Sequence, residues 1–434
     1  MLATRLNAGF WLLWLLLLIF CYFNSYDDPS SIFYNTSRAY EQKYSLVRST
    51  EAEQYLQHLP AKHRPAQPSE RFLCIGIPSV NRTSESFLAY TIATLTDTLT
   101  PDERASVHLV VLLANKSPKN HFGYGQSWLE KIADEVILYG EPPSGSSNKN
   151  GSSVYRTIPF DLYDGDNDGH AEHRGDGRVE NMRLDHSALV ETCKNHGSPY
   201  FALVEDDIIA SRDWFKRFKR GLTYVENQAK KTKKDWLYLR LFYSEIFMGW
   251  NNEEWLMYSK NIFLVYTVVL LVFLARFALG KKRFRYKLIG GSGSATTGHA
   301  SRYLAALVLG LWMPALVVLY FLAGRVSVHR LNPFTWSWHG AVEMPSYGCC
   351  AQGLVFPHRH LDGVLSLLRN PPYAFAGDQI LEDYARDHSL AKWAIDPSVF
   401  QHVGLKQSSA GDERTEVWNF SFERQRPQKT DTAE

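Results

Sequence analysis

The sequence predicts an α/β domain that is anchored to a membrane and interrupted by a membrane hairpin. Three observations support this prediction. Between residues 71 and 209, short buried-strand patterns alternate with helical patterns, which favours a parallel sheet. Three long apolar runs stand apart from that alternation. The segment between the second and third runs carries basic side chains and no acidic ones, as cytosolic loops do.

Composition excludes several classes of protein. The 434 residues suffice for two or three domains, and a net charge of +2 gives no basic field for binding nucleic acid. The mean hydropathy of −0.26 excludes a chain that lies mostly within a membrane. Five cysteines are too few for a disulfide scaffold, and no Cys/His spacing is typical of a structural zinc site.

Charge around the apolar runs predicts the membrane topology. Arg5 precedes the first run, and six basic side chains lie between the other two, so both segments are expected in the cytosol. The remaining segments then share the lumen. The predicted order is a cytosolic N-terminus (1–8), a transmembrane anchor (9–23), a luminal stem (24–70), the first part of the domain (71–261), a transmembrane helix (262–279), a cytosolic basic loop (280–302), a transmembrane helix (303–323), and the second part of the domain with a tail (324–434).

The sequence leaves two alternatives to this topology. The first run is only fifteen residues, about 22 Å of helix, and could be a signal peptide, but no small-residue cleavage pattern follows it. The hairpin could instead be two buried core helices, given Arg276 in its first half, although that side chain can snorkel towards the cytosol. All five glycosylation sequons fall in predicted luminal segments, at Asn35, Asn81, Asn115, Asn150 and Asn419.

The luminal segments predict a Rossmann-like sheet. Apolar runs indicate buried strands at 71–80, 107–114 and 135–139, and helical patterns cover 84–99 and 180–196. A further apolar segment, 199–209, ends in acidic residues. In such a sheet the first strand carries a ligand-binding loop at its carboxyl end.

The acidic residues Glu205, Asp206 and Asp207 follow the apolar part of that last segment. Three adjacent carboxylates repel one another unless a cation or hydrogen-bond donors compensate them. Glycosyltransferases of the GT-A type place such a cluster at a strand end, where a divalent cation binds the last carboxylate and the sugar-nucleotide diphosphate. The alternative is an N-terminal capping cluster for the helix predicted at 213–227.

Other candidate features carry less weight. The segment 164–175 begins like a calcium loop but has Gly175 where that loop needs a glutamate, so we interpret it as a solvated loop. The adjacent Cys349 and Cys350 are poorly placed to bond to each other, and one of them could pair with Cys74 or Cys193. The sequence leaves that pairing open.

Three motifs in order carry a family resemblance. They are IGIPSVNR (75–82), LVEDDI (203–208) and QHVGLKQSS (401–409). Together they resemble the GT54-type N-acetylglucosaminyltransferases that branch N-glycans. The domain interrupted by a membrane hairpin, with YLRLFY (238–243), Cys349–Cys350 and Phe356–Pro357, resembles the Golgi transferases that add N-acetylgalactosamine to the GPI anchor after its attachment to protein. This resemblance implies a GT-A-like domain.

The resemblance also implies roles for individual residues. Asp207 would bind a divalent metal, with Mn²⁺ suiting oxygen ligands and one nitrogen, and His402 would complete the coordination. Asp206 and Glu205 would accept hydrogen bonds from ribose or sugar hydroxyls of a UDP-sugar. Arg82 follows the first strand and would pair with the diphosphate.

An inverting transferase also needs a general base beside the acceptor hydroxyl. Asp378 lies at the predicted N-terminus of a helix, as the corresponding acid does in similar enzymes, with Glu382 and Asp383 as reserves. The alternative role for Asp378 is an N-cap, which that position also favours.

The sequence therefore predicts a multi-pass Golgi glycosyltransferase with a cytosolic N-terminus and a luminal catalytic domain. It would transfer a hexosamine, expected to be N-acetylgalactosamine, from a UDP-sugar to a mannose of the GPI core, in a metal-dependent, inverting reaction. No nucleic-acid partner is expected. The alternatives are an N-glycan-branching N-acetylglucosaminyltransferase and a non-catalytic membrane scaffold.

Overall fold

The computed structural model describes most of the chain in two compact units. The described residues are 2–59, 71–81, 86–115, 117–140, 154–159, 177–287, 296–331, 340–344, 351–373, 377–404 and 417–425. The membrane unit comprises Met1–Glu41 and Ile246–Trp336, and the sheet unit comprises Gln42–Glu245 and Ser337–Glu434. The segments around Arg82, the 164–175 loop and Cys349–Cys350 lie outside the described residues.

The described part of the sheet unit forms a nine-stranded sheet and a two-stranded ribbon. The sheet order is β4-β3-β2-β1-β5-β9-β7-β10-β8, and β6 pairs with β11 in the ribbon. The strands are β1 (Leu73–Ser79), β2 (Val107–Leu113), β3 (Glu135–Tyr139), β4 (Tyr155–Ile158), β5 (Tyr200–Leu203), β6 (Ile208–Ala210), β7 (Trp236–Arg240), β8 (Ala341–Glu343), β9 (Leu354–Pro357), β10 (Ala391–Ile395) and β11 (Phe400–His402).

Strand direction gives the sheet two distinct edges. The five strands from β4 to β5 are parallel, β9 runs against both β5 and β7, and β10 is parallel to β7. We call the edge where β1, β5 and β7 end the carboxyl edge, and the opposite one the amino edge. After β1 the chain builds outwards through β2 to β4 and then returns to the other side of β1 with β5. The crevice between β1 and β5 is thus a topological switch point, where open α/β sheets bind ligands.

Helices cover both faces of this sheet, which explains the continuous apolar runs in β1 and β2. One face packs against α4 and α8, and the other against α7, α13 and α14. The helices of the sheet unit are α3 (Tyr44–Gln57), α4 (Leu88–Thr96), α5 (Pro101–Ala105), α6 (Ser127–Ile132), α7 (Gly177–Asn195), α8 (Trp214–Thr232), α13 (Leu361–Arg369) and α14 (Gly377–Asp387).

The α/β prediction is confirmed, with one difference in the second half of the sheet. The first three strands lie within the predicted runs because buried strands carry uninterrupted apolar sequence. The apolar segment 199–209 is not one strand but two, β5 and β6, separated by the acidic residues. Antiparallel β8 and β9 make the whole sheet mixed rather than parallel.

A disulfide resolves the cysteine pairing that the sequence left open. Cys74 on β1 bonds to Cys193 near the end of α7. The possibility that Cys349 or Cys350 pairs with either of them is therefore wrong. Cys21 is a buried free thiol.

The sequon at Asn419 is unsuited to carry a glycan in this fold, because Asn419 is buried and its side-chain oxygen accepts from the Ser421 hydroxyl and the Phe422 N–H.

The predicted stem, residues 24–70, divides between the two units. The part of the stem that forms α3 belongs to the sheet unit, and Arg48 on this helix is fully buried. The guanidinium donates to the Ala210 carbonyl at 2.9 Å and to the Asp97 carboxylate at 2.8 Å. Burial lowers the pKa of Arg48, but its bonds to Asp97 and Glu51 outweigh that effect and raise it. The sequence gives no sign of this packing, since the buried side chain is itself charged.

The membrane unit contains three helical segments long and apolar enough to span a bilayer. They cover Thr4–Asn24, Trp255–Leu279 and Arg302–Ala323, and little of each is buried within the protein. The first has 21 residues, about 31 Å, so the anchor is longer than its apolar run suggested. The helices of this unit are α1 (Leu2–Asn24), α2 (Thr36–Ala39), α9 (Trp255–Lys287), α10 (Thr296–Leu307), α11 (Met313–Ala323) and α12 (Arg325–Leu331), with a π-turn at Val308–Trp312.

Polar contacts join the anchor to the hairpin inside the membrane unit. The Trp14 indole donates to the Ala315 carbonyl at 2.8 Å, and Trp312 donates to Asn7 at 2.9 Å. Beyond the anchor, the buried Asp28 carboxylate accepts from the Ser327 N–H at the start of α12. Gly324 has φ +91°, and a side chain there would collide with Asp28. The anchor and the hairpin therefore form one folded body.

Candidate functional site

The acidic residues lie at the carboxyl edge, directly after β5 and beside the end of β1. Asp206 is buried, and its Oδ2 accepts from the Ser79 hydroxyl, at the last residue of β1, at 2.7 Å. The Thr91 hydroxyl on α4 donates to the Asp206 carbonyl and accepts from the Ile208 N–H. These bonds fix the acidic turn across the β1–β5 switch point, where a ligand-binding crevice is expected.

A short ribbon brings His402 to the same turn. On the two antiparallel strands β6 and β11, His402 lies opposite Ile208. The Val403 N–H then donates to the Asp207 carbonyl at 2.9 Å, which extends the pairing beyond β11. Asp207, which lies between β5 and β6, and His402, the last residue of β11, thereby become neighbours, although about 200 residues separate them in the chain.

Glu205, Asp207 and His402 form a compact donor cluster. One ligand atom from each lies within 4.8 Å of the others, and Nε2 of His402 is 3.2 Å from Oδ2 of Asp207. Asp207 and His402 are buried, whereas Glu205 is half-buried. Burial lowers the pKa of His402, but the Asp207 and Glu205 carboxylates outweigh burial and raise it. The neighbouring carboxylates therefore favour the protonated form of His402.

The donor set fits a divalent cation. Nδ1 of His402 faces the Val417 carbonyl at 3.1 Å, and because a carbonyl only accepts, Nδ1 must carry the proton. Deprotonation at Nε2 then leaves a lone pair aimed at the carboxylates, the arrangement in which metal-ligating histidines are held. Two carboxylates and one imidazole together offer the oxygen and nitrogen ligands that divalent cations bind.

The capping alternative for these acids is not supported. α8 begins at Trp214, and the whole of β6 separates it from Asp207. The residue before α8 is Asp213, whose side chain makes no capping hydrogen bond. The acidic turn therefore lies at a strand end and not at a helix N-terminus.

Gln352 is a site residue that the sequence analysis missed. It lies just before β9, which starts at the carboxyl edge between β5 and β7. Its Nε2 donates to Oε2 of Glu205 at 3.0 Å. The side chain is buried, and its Oε1 accepts no hydrogen bond from any residue that the structure describes. A lone glutamine gives no sequence signal, so only the strand arrangement could locate it.

The candidate bases on α14 differ in their surroundings. Asp378, in the first turn, is half-buried, and its Oδ1 accepts from the Gln379 N–H at 2.9 Å. One turn later, Glu382 is buried and accepts from Arg240 and Lys392, each at 2.6 Å, and also from the Tyr238 hydroxyl. These donors hold Glu382 as a charged anchor that ties α14 to the end of β7. Glu382 is therefore a poor candidate for a base.

Asp383 bonds to the Tyr373 hydroxyl and pairs with Arg386 at 2.6 Å. Arg82, the predicted diphosphate partner, lies outside the described residues. Of the predicted site residues, the structure thus brings together Glu205, Asp207 and His402, with Asp206 turned towards β1. Asp378 lies on a helix that is anchored at the same edge of the sheet.

Below the acidic turn, His121 supports the end of β1. Its Nε2 donates to the Ser79 carbonyl at 3.1 Å, and its Nδ1 accepts from the Gly123 N–H at 3.1 Å. Burial lowers the pKa of His121 to about 4, although the bond to Ser79 opposes this. His121 is therefore neutral near pH 7 and acts as a fixed structural link.

An α/β sheet with an acidic cluster at its switch point is the arrangement expected of a glycosyltransferase, and comparisons with known proteins agree. The model of the family described as GPI-N-acetylgalactosamine transferase PGAP4 matches residues 73–401. The chain belongs to this family. It is also 27% identical over 175 residues to an alpha-1,3-mannosyl-glycoprotein 4-beta-N-acetylglucosaminyltransferase B of Danio rerio. That match covers 38% of this chain and 30% of the relative's length.

Family membership favours the enzyme over the non-catalytic scaffold. The family description and the relative's name both refer to transfer of an N-acetylhexosamine. The chain thus belongs to a family described as transferases, and the described residues include three helices long and apolar enough to span a bilayer.

Proposed function

We propose that this protein transfers N-acetylgalactosamine from a UDP-sugar to a mannose of the GPI core, in a metal-dependent reaction that inverts the anomeric carbon. The observation that carries this proposal is the Glu205–Asp207–His402 cluster at the β1–β5 switch point. A cation at this position would stabilise the diphosphate leaving group, and the crevice beside it would take the nucleotide.

Each residue of the cluster has a defined part in this proposal. Asp207 and His402 would hold the cation, for which Mn²⁺ is our candidate. Asp206, fixed by Ser79, and Glu205, fixed by Gln352, would accept hydrogen bonds from ribose or sugar hydroxyls. The buried Oε1 of Gln352 would accept one more hydrogen bond from the donor sugar or nucleotide. Arg82 would pair with the diphosphate.

Asp378 is our candidate for the general base that removes the proton from the acceptor hydroxyl. Asp378→Asn tests this role, because asparagine caps a helix as well as aspartate does but cannot take up a proton. We expect transfer to fall at least about a hundredfold while UDP-sugar binding is kept. Asp387→Asn, at the exposed end of the same helix, is the matched control. Near-normal transfer by Asp378→Asn would assign this carboxylate to capping.

The membrane spans fit a lipid-linked acceptor. A GPI is held in the bilayer by its own lipid, so an enzyme with several spans meets it in the same plane. We propose a Golgi location, with the N-terminus in the cytosol and the sheet unit in the lumen. Replacing the hairpin by a soluble linker should reduce transfer to membrane GPI and leave UDP-sugar binding intact. Equal loss of both would contradict this role for the hairpin.

The decisive experiment is a UDP-sugar assay on the detergent-solubilised full chain. We expect Mn²⁺-dependent turnover of UDP-N-acetylgalactosamine in the presence of a mannose-containing GPI acceptor, and none with EDTA or in Asp207→Asn. Asp213→Asn is the matched control, because Asp213 is an exposed carboxylate that lies shortly after β6, whereas Asp207 lies just before it. Turnover that is insensitive to EDTA, or a clear preference for another UDP-sugar, would overturn the donor or the metal in this proposal.

A second candidate is an N-glycan-branching N-acetylglucosaminyltransferase. It is favoured by the 27% identity to the Danio rerio enzyme over part of the chain. The hairpin argues against it, because soluble glycoprotein acceptors require no membrane placement. Mass profiles of N-glycans and of GPI glycans from cells that lack this protein separate the two: loss of a branch antenna supports this second candidate, and loss of a GPI side-chain hexosamine supports the first.

A further inference from the structure

A second group of ligand atoms converges at the amino edge of the sheet. His108 is the second residue of β2, Glu135 is the first residue of β3, and His196 follows α7. They lie at the opposite ends of the strands from the acidic turn. The Cys74–Cys193 disulfide is close by in the fold, since Cys74 pairs in register with His108 and Cys193 is three residues before His196.

The separations between the three ligand atoms fit one small cation. Nε2 of His108 is 2.9 Å from Nε2 of His196, which is 2.9 Å from Oε2 of Glu135. The third side of this triangle, from Nε2 of His108 to Oε2 of Glu135, is 3.6 Å. Tetrahedral zinc with bonds of about 2.0–2.1 Å places its ligands about 3.3 Å apart. The three observed distances bracket that value.

Hydrogen bonding alone accounts poorly for this arrangement. Nε2 of His196 carries at most one proton, which can point to His108 or to Glu135 but not to both. Two imidazole nitrogens at 2.9 Å also need opposite roles, one as donor and one as acceptor. A cation between them satisfies all three atoms together.

The residues around the three ligand atoms favour the binding of a metal. Arg156 binds the other carboxylate oxygen of Glu135, so Oε2 is left to face the imidazoles. Nδ1 of His108 is buried and makes no hydrogen bond within the described residues, and Oδ2 of Asp134 lies 3.9 Å from it. A metal on Nε2 would keep the proton on Nδ1, facing that carboxylate, as in histidines that ligate zinc. About a third of the His196 side chain is exposed, which gives an ion a path from solvent.

We propose that His108, Glu135 and His196 bind a zinc ion, with water as the fourth ligand. Two imidazoles and one carboxylate form a donor set typical of zinc with an open position. Bound there, zinc would fasten the turn after α7 to the starts of β2 and β3, beside the disulfide that already ties α7 to β1. The site is distinct from the acidic cluster and does not depend on the proposed transferase reaction.

The test uses the full chain in detergent, with Asp207→Asn present throughout so that the acidic cluster contributes little metal binding. After chelation, exposure to zinc and removal of free metal, elemental analysis should give about one zinc per chain. His196→Gln should lose it, whereas His388→Gln, another histidine just beyond a helix, should keep it. Cobalt in place of zinc should give the visible absorption of tetrahedral Co²⁺ only in chains that keep His196.

Zinc should also raise the Tm of the parent chain, which carries only Asp207→Asn, by on the order of 5 °C when zinc is present well above its Kd. His196→Gln should melt like the chelated parent, with no response to zinc. Glu135→Gln, which preserves shape, should weaken zinc binding about tenfold or more. Equal zinc content and equal Tm response in His196→Gln and His388→Gln would overturn the proposal, as would a parent chain that retains no zinc.

Discussion

Each edge of the sheet carries a cluster of three ligand residues, and the two clusters differ in their numbers of carboxylates and imidazoles. At the carboxyl edge, two carboxylates and one imidazole meet, and the described neighbours supply hydrogen bonds to Asp206 and Glu205. At the amino edge, two imidazoles and one carboxylate meet, and Arg156 pairs with the carboxylate. The first cluster therefore gathers negative charge at a switch point, whereas the second is close to neutral and lies away from it.

This difference fits a reacting ligand at the proposed donor site and a structural role for the proposed zinc site. Hard oxygen ligands favour a cation that also accepts diphosphate oxygens, and two imidazoles favour zinc. Changes at the carboxyl edge should therefore alter turnover. Changes to buried residues whose charges are balanced by partners inside the protein should instead lower the free energy of unfolding.

Asp207→Asn should give the largest effect. It removes the negative charge of the proposed metal ligand, so we expect kcat/KM for UDP-sugar to fall at least about a thousandfold, with the Tm changed by only a few degrees. Steady-state kinetics and thermal melts of the purified chain measure both quantities. A large loss of Tm with little loss of turnover would show that the carboxyl edge is structural, and the contrast between the edges would fail.

Glu382→Gln should show that not every acid at the carboxyl edge serves the reaction. It leaves Arg240 and Lys392 without their buried partner, which should lower the free energy of unfolding by about 3 kcal/mol. Urea unfolding monitored by tryptophan fluorescence measures this loss. Turnover per folded molecule should stay near that of the parent chain. If turnover disappears while stability is kept, Glu382 and not Asp378 is the base.

Acidification should weaken the sheet unit through buried histidines that belong to neither cluster. Burial lowers the pKa of His121 and of His186 to about 4, from about 6.5 when unfolded. Between these values the unfolded chain binds more protons than the folded one, so stability falls as the pH is lowered from 6.5 towards 4. We expect a loss of about 2 kcal/mol for each histidine, or about 4 kcal/mol in all, by pH 5, from urea unfolding in EDTA. His121→Gln should flatten part of this dependence, and an unchanged slope would contradict it.

Gln352→Leu should give the smallest of these effects. It removes the donor to Glu205 and the buried acceptor Oε1 while keeping most of the volume. We expect about a tenfold loss in kcat/KM for UDP-sugar, through loss of one or two hydrogen bonds. Gln228→Leu, on α8, is the control. Parent-like kinetics in Gln352→Leu would remove this residue from the donor site.

The sequence predicts the parts of this molecule that depend on local pattern. Strands β1 to β3 were located closely because each is a continuous apolar run bounded by polar residues. The acidic turn was located because three acids at the end of such a run are unusual. The three membrane helices were located from hydropathy and from basic residues that flank them.

The rest depends on contacts between distant segments. The stem prediction does not include the packing of α3 into the sheet unit, because the buried Arg48 resembles a surface residue and its partner Asp97 is remote in sequence. The amino-edge cluster has no recognisable spacing, since its ligands come from two strands and a turn. Gln352 became a site residue only through the placement of β9 between β5 and β7. The roles of Asp207, His402, Asp378 and Arg82 remain predictions for the experiments above.

The β6–β11 ribbon has a consequence for how the protein is made. Asp207 precedes the membrane hairpin in the chain and His402 follows it, so the ribbon cannot form until both spans have been synthesised. At about 5–20 residues per second, this leaves the acidic turn without its histidine for roughly 10–40 s. A nascent chain that has not yet passed the hairpin cannot hold the complete cluster. Assembly of the proposed catalytic centre is thereby linked to completed membrane insertion.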